Sequence, residues 1–331
     1  MLKTIDILLG ITVIMLIASM AVTVLTQFVT ALLNTRGKHL LRGIGDLLQQ
    51  IDPGLERQIA DQIASAVLTH PLISNISQRP GTTIHREELT KLLMDIAAGN
   101  AQHVIADNVQ PVLLQILSKN DISDPAAILD KVRATALQLE LTNPKLATNV
   151  RHSIALIQEA NSKFLAKINS WFDQTIDRVS DRFTASTRVI TVICSIAVVL
   201  TIQLDTLDII NRLSIDDGLR NSLVAQAFAL DKQGFSREGI STTNAANAKQ
   251  ELKALQNLGV IDVPENTKDW LNRWQQSNPA GIVLSVFLLS LGAPFWYGAL
   301  KNLLKLRGNI ADKDDEQRNE RQTKQLPTDT P

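Results

Sequence analysis

Three long apolar runs interrupt a chain whose other hydrophobic positions recur at helical spacing. The first, Ile7 to Thr35, holds 29 residues without a charge between Asp6 and Arg36. A bilayer core needs about 20 apolar residues in a helix. The second run enters after Arg188 and stays uncharged to Leu204, with Asp205 and Asp208 near its far end. The third runs from Ala280 to Leu300, before Lys301. These runs predict an all-α integral membrane protein with transmembrane helices at 1–35, 188–210 and 280–300. Gly292-Ala293-Pro294 predicts a kink near Pro294 in the third. Arg36, Lys38 and Arg42 directly after the first run favour a retained span over a cleaved signal peptide.

Residues 36–187 read as a helical domain. Ile44, Leu47, Leu48 and Ile51 form one apolar stripe, and Leu89, Leu92, Leu93 and Ile96 form another on a helix over 87–98. A further helix is expected over 56–68, and Asp124-Pro125 is a helix start with proline at the first position. No stretch shows the period-two alternation of a strand.

From Lys145 to Asp217 there are 73 residues without glycine or proline. The expectation is one very long helix from about 145 running into the second span. Val150, Ile154, Ile157, Asn161, Phe164, Ile168 and Trp171 repeat in a four-three spacing, the seam of a coiled coil. After Trp171 the seam shifts by one residue to Phe172, Ile176, Val179 and Phe183. The seam packs either on the domain's own helices or on a second copy.

Charge then adds orientation. Lys and Arg total 33 against 33 Asp and Glu, and the balance repeats within 36–187 (16 against 16) and 211–279 (8 against 8). Position matters more than the sum. Arg36, Lys38 and Arg42 follow the first run, Arg178, Arg182 and Arg188 precede the second, and Lys301, Lys305 and Arg307 follow the third. The positive-inside rule places the N-terminus outside, 36–187 in the cytoplasm, 211–279 outside as a small helical region, and 301–331 inside. Trp270 and Trp274 suit the outer interface. The polar tail from Gly308 is expected to be disordered.

Candidate chemistry is sparse. Ser19, Thr23, Thr26, Gln27, Thr30 and Asn34 fall within about 100 degrees of one another on a helical wheel. Such a stripe faces protein or water, as helix packing, a subunit contact or a pore lining. Asp173, Asp177 and Asp181 form a ridge on the long helix, and Arg178 and Arg182 form a parallel one. Three acids can hold a hard cation, but no glycine-containing oxygen-rich loop accompanies them. The five histidines are scattered, and neither a phosphate loop, a dinucleotide fingerprint nor a hydrolase elbow occurs. No catalytic, cofactor or metal residue is assigned. The single cysteine, Cys194, excludes an intrachain disulfide and a cysteine-based zinc site. Zero net charge argues against nucleic acid as a partner.

Several motifs resemble an uncharacterised family of bacterial three-span inner-membrane proteins. Trp171-Phe172-Asp173, Asp177-Arg178-Val179-Ser180 and Gln203-Leu204-Asp205-Thr206-Leu207 are similar to that family's WFD, MDRVSGWYKR and NVDTL segments. Thr69-His70-Pro71-Leu72-Ile73 is similar to its AHPLI, and Ser290 to Arg307 to its SLGAPFWFDLLNKLVNLR. The chain departs at Asp181-Arg182-Phe183-Thr184-Ala185, where the family has GWYKR, and at Gln203, where it has Asn. The resemblance covers the spans and their flanks. It implies a bacterial inner-membrane location and carries no activity.

The function expected from these readings is a non-enzymatic membrane scaffold or interaction protein. Its helical cytoplasmic domain would meet a protein partner or a second copy, and its spans would meet lipid. The alternatives are an oligomeric pore or transport accessory lined by the first-span stripe, and a membrane enzyme of unknown type.

Overall fold

A computed structural model describes residues 2–74, 79–100, 107–145, 148–159, 162–232, 249–250, 253, 255–257, 270 and 278–323. The described residues are all-α. They divide into two compact units, one made of Met1–Val29 with Thr187–Pro331 and the other of Thr30–Ser186. The boundaries fall inside two helices, α1 (Leu2–Leu32) and α8 (Lys163–Ile202). These two are long and apolar enough to cross a membrane, and a bent pair near the C-terminus makes a third candidate if it counts as one span.

In the unit Thr30–Ser186, α2 (Thr35–Ile51), α3 (Arg57–Leu68), α4 (Arg86–Ala97), α5 (Val109–Lys119), α6 (Pro125–Thr142) and α7 (Thr148–Glu159) share one apolar core with the first part of α8. The expected stripes form it: Ile44, Leu47, Leu48 and Ile51 from α2, and Leu89, Leu92, Leu93 and Ile96 from α4. The helix starts follow their capping chemistry. The Asp124 side chain accepts from the Ala127 amide, and His85 with Glu88 forms a capping box. Asn34 ends α1 by adopting a left-handed φ of 46°, and its side-chain amide donates to the Pro80 carbonyl at 2.9 Å.

The second unit is built around α1. Leu9, Ile14, Met15, Ile17 and Met20 are fully buried, as expected of a strongly apolar helix packed inside its unit. Its hydroxyls bond back to their own helix: Thr12 to the Leu8 carbonyl at 2.7 Å and Thr23 to the Ser19 carbonyl at 2.9 Å. Gly10 lets Leu213 of α9 (Thr206–Ile215) and Leu223 of α10 (Asp217–Lys232) approach closely. The span part of α8 buries Cys194, Ser195 and Val199 and exposes Val189, Val192, Ile193, Ile196 and Leu200. That face is apolar and bare, as a lipid-facing surface is.

Four expectations need correction. The 73-residue run is not one helix: α7 ends at Glu159, and the 40-residue α8 begins at Lys163. Ser162 starts it, its hydroxyl accepting from the Leu165 amide at 3.2 Å. A helix can therefore begin within a run that contains no breaker. The helix that carries the second apolar run ends at Ile202 and does not continue to 210, because Gln203 turns left-handed at φ 54° and Asp205 caps α9.

The third run breaks more sharply than a kink. It forms α11 (Pro279–Ser290) and α12 (Ala293–Thr323), bent by 93°. The turn sits at Leu291-Gly292, where Gly292 takes a φ of 83° that favours glycine. Pro294 is the second residue of α12, where its missing N–H costs no helical bond. Finally, the chain stays helical from Gly308 to Thr323. No glycine or proline lies between Asn309 and Gln325, and the segment is rich in strong helix formers.

Candidate functional site

The coiled-coil seam divides along its length. Phe164 and Ile168 are fully buried in the Thr30–Ser186 core, Trp171 and Ile154 are half-buried, and Val150 is exposed. Asn161 and the Ile157 side chain lie outside the described residues. From Phe164 onward the buried face continues through Leu165, Phe172, Thr175 and Val179. This part of the seam is filled by the chain's own helices. Gly43 of α2 faces Val179 so closely that a Cβ there would collide with the valine Cγ2.

The charged ridges point outward. Asp173, Asp177 and Asp181 are exposed, and among the described residues no group of three or more His, Cys, Asp or Glu side chains comes together as a metal site. Arg178 donates to the Thr175 hydroxyl at 3.1 Å. Arg182 crosses to α2 and donates to Asp46 Oδ2 at 2.8 Å.

Asp46 is the centre of a network that sequence spacing did not single out. Arg57, in the first turn of α3, reaches Asp46 Oδ1, the Gln49 side chain at 3.3 Å and the Arg42 carbonyl at 3.2 Å, and donates to Asp61 at 3.2 Å. Partial burial alone would raise the Asp46 carboxyl, but the hydrogen bonds from Arg57 and Arg182 outweigh it and hold the group below the usual carboxylate range. His39 is pushed below the ordinary imidazole value by burial and by Arg42 and Arg182. On the far side of α2, Asp52 is lowered by its bond from Lys119, 2.8 Å away. The chemistry is structural: one carboxylate between two guanidinium groups ties three helices together.

The first-span stripe also divides. Ser19 and Thr26 are buried, Thr23 is half-buried and Gln27 is exposed. Ser19 donates to the Leu16 carbonyl at 2.8 Å. In the other unit Thr30 is half-buried, and Asn34 serves the turn described above.

A second polar node joins α9 and α11. One Asp205 oxygen accepts from the Leu207 and Asp208 amides at 2.9 and 3.1 Å. The other accepts from the Asn278 amide at 2.9 Å, and Gly281 packs so closely on this carboxylate that a Cβ would not fit. The Thr206 and Ser285 hydroxyls sit 2.6 Å apart, and the Thr206 amide donates to Ser285 Oγ at 3.0 Å. Trp270 donates its indole N–H to the Leu200 carbonyl at 3.2 Å, satisfying a carbonyl at the end of α8. Trp274 lies outside the described residues. Asp205 was legible as a charge at a span end; its capping role follows from Thr206 opening a new helix.

Comparison with known protein families, curated proteins and solved structures finds no match.

Proposed function

We propose that the protein is a non-enzymatic scaffold of a bacterial inner membrane, anchored by α1 and α8. The N-terminus lies outside, and the helical body Thr30–Ser186 is presented in the cytoplasm to a protein partner or to a second copy. One observation carries this reading. The single helix α8 supplies Phe164, Ile168 and Phe172 to the core of the helical body, and further along exposes Val192, Ile193 and Ile196 as a bare apolar face. A folded helical body is thus continuous with a membrane anchor. The basic residues Arg36, Lys38, Arg42, Arg178, Arg182 and Arg188 at both junctions support the cytoplasmic placement. The motif resemblance supports the bacterial membrane.

The test is photocrosslinking in living cells. A photoreactive residue replaces, one at a time, the exposed α6 residues Leu137 and Leu141, one turn apart, and others around the body. Discrete crosslinked species of constant mass are expected at a subset of positions. A chain that is monomeric in native nanodiscs and yields no crosslinked species at any position would overturn the scaffold reading.

A further inference from the structure

We infer that the C-terminal pair α11–α12 dips into one leaflet and returns, so that Arg307 and the helix beyond it lie on the same face of the membrane as Asp6. The inference rests on the reading of α1 as a span with its N-terminus outside.

The length comes first. α11 has 12 residues, about 18 Å at 1.5 Å per residue, while the hydrocarbon core is about 30 Å thick. It starts at the outer end of α8, where the Asn278 amide bonds Asp205 at 2.9 Å. It therefore stops inside the bilayer, and there the chain turns by 93° at Gly292.

A turn at that depth frees backbone groups that lipid cannot satisfy. The Trp296 indole N–H bonds the Leu288 carbonyl at 2.9 Å, and the Gly292 amide bonds the Leu289 carbonyl at 3.1 Å. The turn is hydrogen-bonded within itself.

The destination of α12 decides the topology. Arg307 Nε donates to Asp6 Oδ1 at 2.7 Å, with side chains only 30% and 15% exposed. Its guanidinium also lies over the Phe228 ring of α10, 5.6 Å from the centroid. Asp6 is in the second turn of α1, and Lys3 beside it faces Asp217 of α10 at 3.9 Å. A straight third span would separate Arg307 from Asp6 by the full hydrocarbon thickness, about 30 Å.

The faces of the two helices agree. α12 buries Trp296, Tyr297 and Leu300 and exposes Lys301, Asn302, Lys305 and Asn309 along one stripe with Leu306 at its edge, the pattern of a helix lying at an interface. A continuing span would turn both lysines toward acyl chains. α11 and the bend expose Val283, Phe287, Leu291 and Phe295 instead. The occupant of that apolar face is the acyl chains of the outer leaflet, and Lys301 and Lys305 meet its headgroups.

The test uses the whole chain with Cys194→Ser and one new cysteine at a time, labelled with a membrane-impermeant maleimide in intact spheroplasts and in inverted vesicles. Asn221→Cys on α10 marks the outer side and Lys131→Cys on α6 marks the cytoplasm. Asn309→Cys is expected to label in spheroplasts, together with Asn221→Cys. Should Asn309→Cys fail to accumulate in the membrane, Asn302→Cys reads the same side. Labelling of the α12 site only together with Lys131→Cys would overturn the inference while leaving the orientation intact. Exchange of the two reference sites would instead overturn the orientation.

Discussion

Arg182 of α8 and Asp46 of α2 form a 2.8 Å ion pair between residues 136 positions apart in the chain. Arg57 occupies the other carboxylate oxygen. Helix α8 is thereby fastened to α2 by charge beside the apolar contacts of Val179. Replacing Asp46 by Asn keeps the shape and removes the charge. Because the side chain is 34% exposed, solvent limits the loss to about 1 kcal/mol. The carboxyl titrates lower in the folded state than in the unfolded one. Its contribution is complete above about pH 4 and is lost as pH falls through the lowered value. Thermal melts should therefore show Asp46→Asn less stable than the parent at pH 7, with the gap closing in acid.

Asp95 carries the opposite sign. Burial raises its carboxyl above the ordinary value, despite Lys91, Arg133 and His70 nearby. A raised folded value contributes stability below the unfolded value near about pH 4, and that contribution is lost as pH rises. At neutral pH the folded body thus holds a carboxylate it disfavours. Asp95→Asn is expected to raise the melting temperature at pH 7 and to leave it unchanged well below pH 4. An equal effect at both values would mean that the charge is not the cause.

The seam gives a packing test. Phe164 is 0% exposed, and truncating a buried phenylalanine to Ala costs about 3–5 kcal/mol. Val150, 41% exposed, should tolerate Ala with a change within about 0.5 kcal/mol. Chemical denaturation of the two variants in detergent measures the contrast. If Phe164 held two copies together instead, its loss would depend on protein concentration.

Gly43 and Val179 give a coupled pair. A Cβ at Gly43 collides with Val179, so Gly43→Ala should cost about 1–3 kcal/mol through overpacking. Adding Val179→Ala opens the space, and the double variant should lose less than the sum of the singles. A double-mutant cycle by denaturation reads this directly.

These details show where sequence patterns carry information. Stripes such as Ile44, Leu47, Leu48 and Ile51 are legible because burial on one helical face imposes a period. The start of α6 is legible because Asp124 and Pro125 have a local capping chemistry. The start of α8 is not legible in the sequence, because Ser162 is a capping residue only in context. The motif Gly292-Ala293-Pro294 marks the break near Pro294, but the sequence does not show that Gly292 makes the turn. Proline is a helix breaker in general but is tolerated in a first turn, and Gly292 takes the unusual φ. The Asp46 network was invisible because its partners Arg57 and Arg182 come from separate helices; spacing reports neighbours on one helix and says nothing about ion pairs formed by tertiary packing. The same limit applied to Lys301, Lys305 and Arg307. The positive-inside rule reads their charges as marking a cytoplasmic end, and spacing does not reveal the contact of Arg307 with Asp6, on which the inferred return of α12 rests.

The most direct measurement concerns the side on which the Thr30–Ser186 body lies. The exposed turn after α6, at Asn143 to Lys145, suits an inserted reporter because surface turns tolerate insertions. Two versions of the whole chain are needed. One carries a fluorescent protein that matures only in the cytoplasm, the other an alkaline phosphatase active only outside it. A cytoplasmic body between two spans gives bright fluorescence and no phosphatase activity. Phosphatase activity without fluorescence would contradict the placement of the helical body in the cytoplasm, and with it the proposed function.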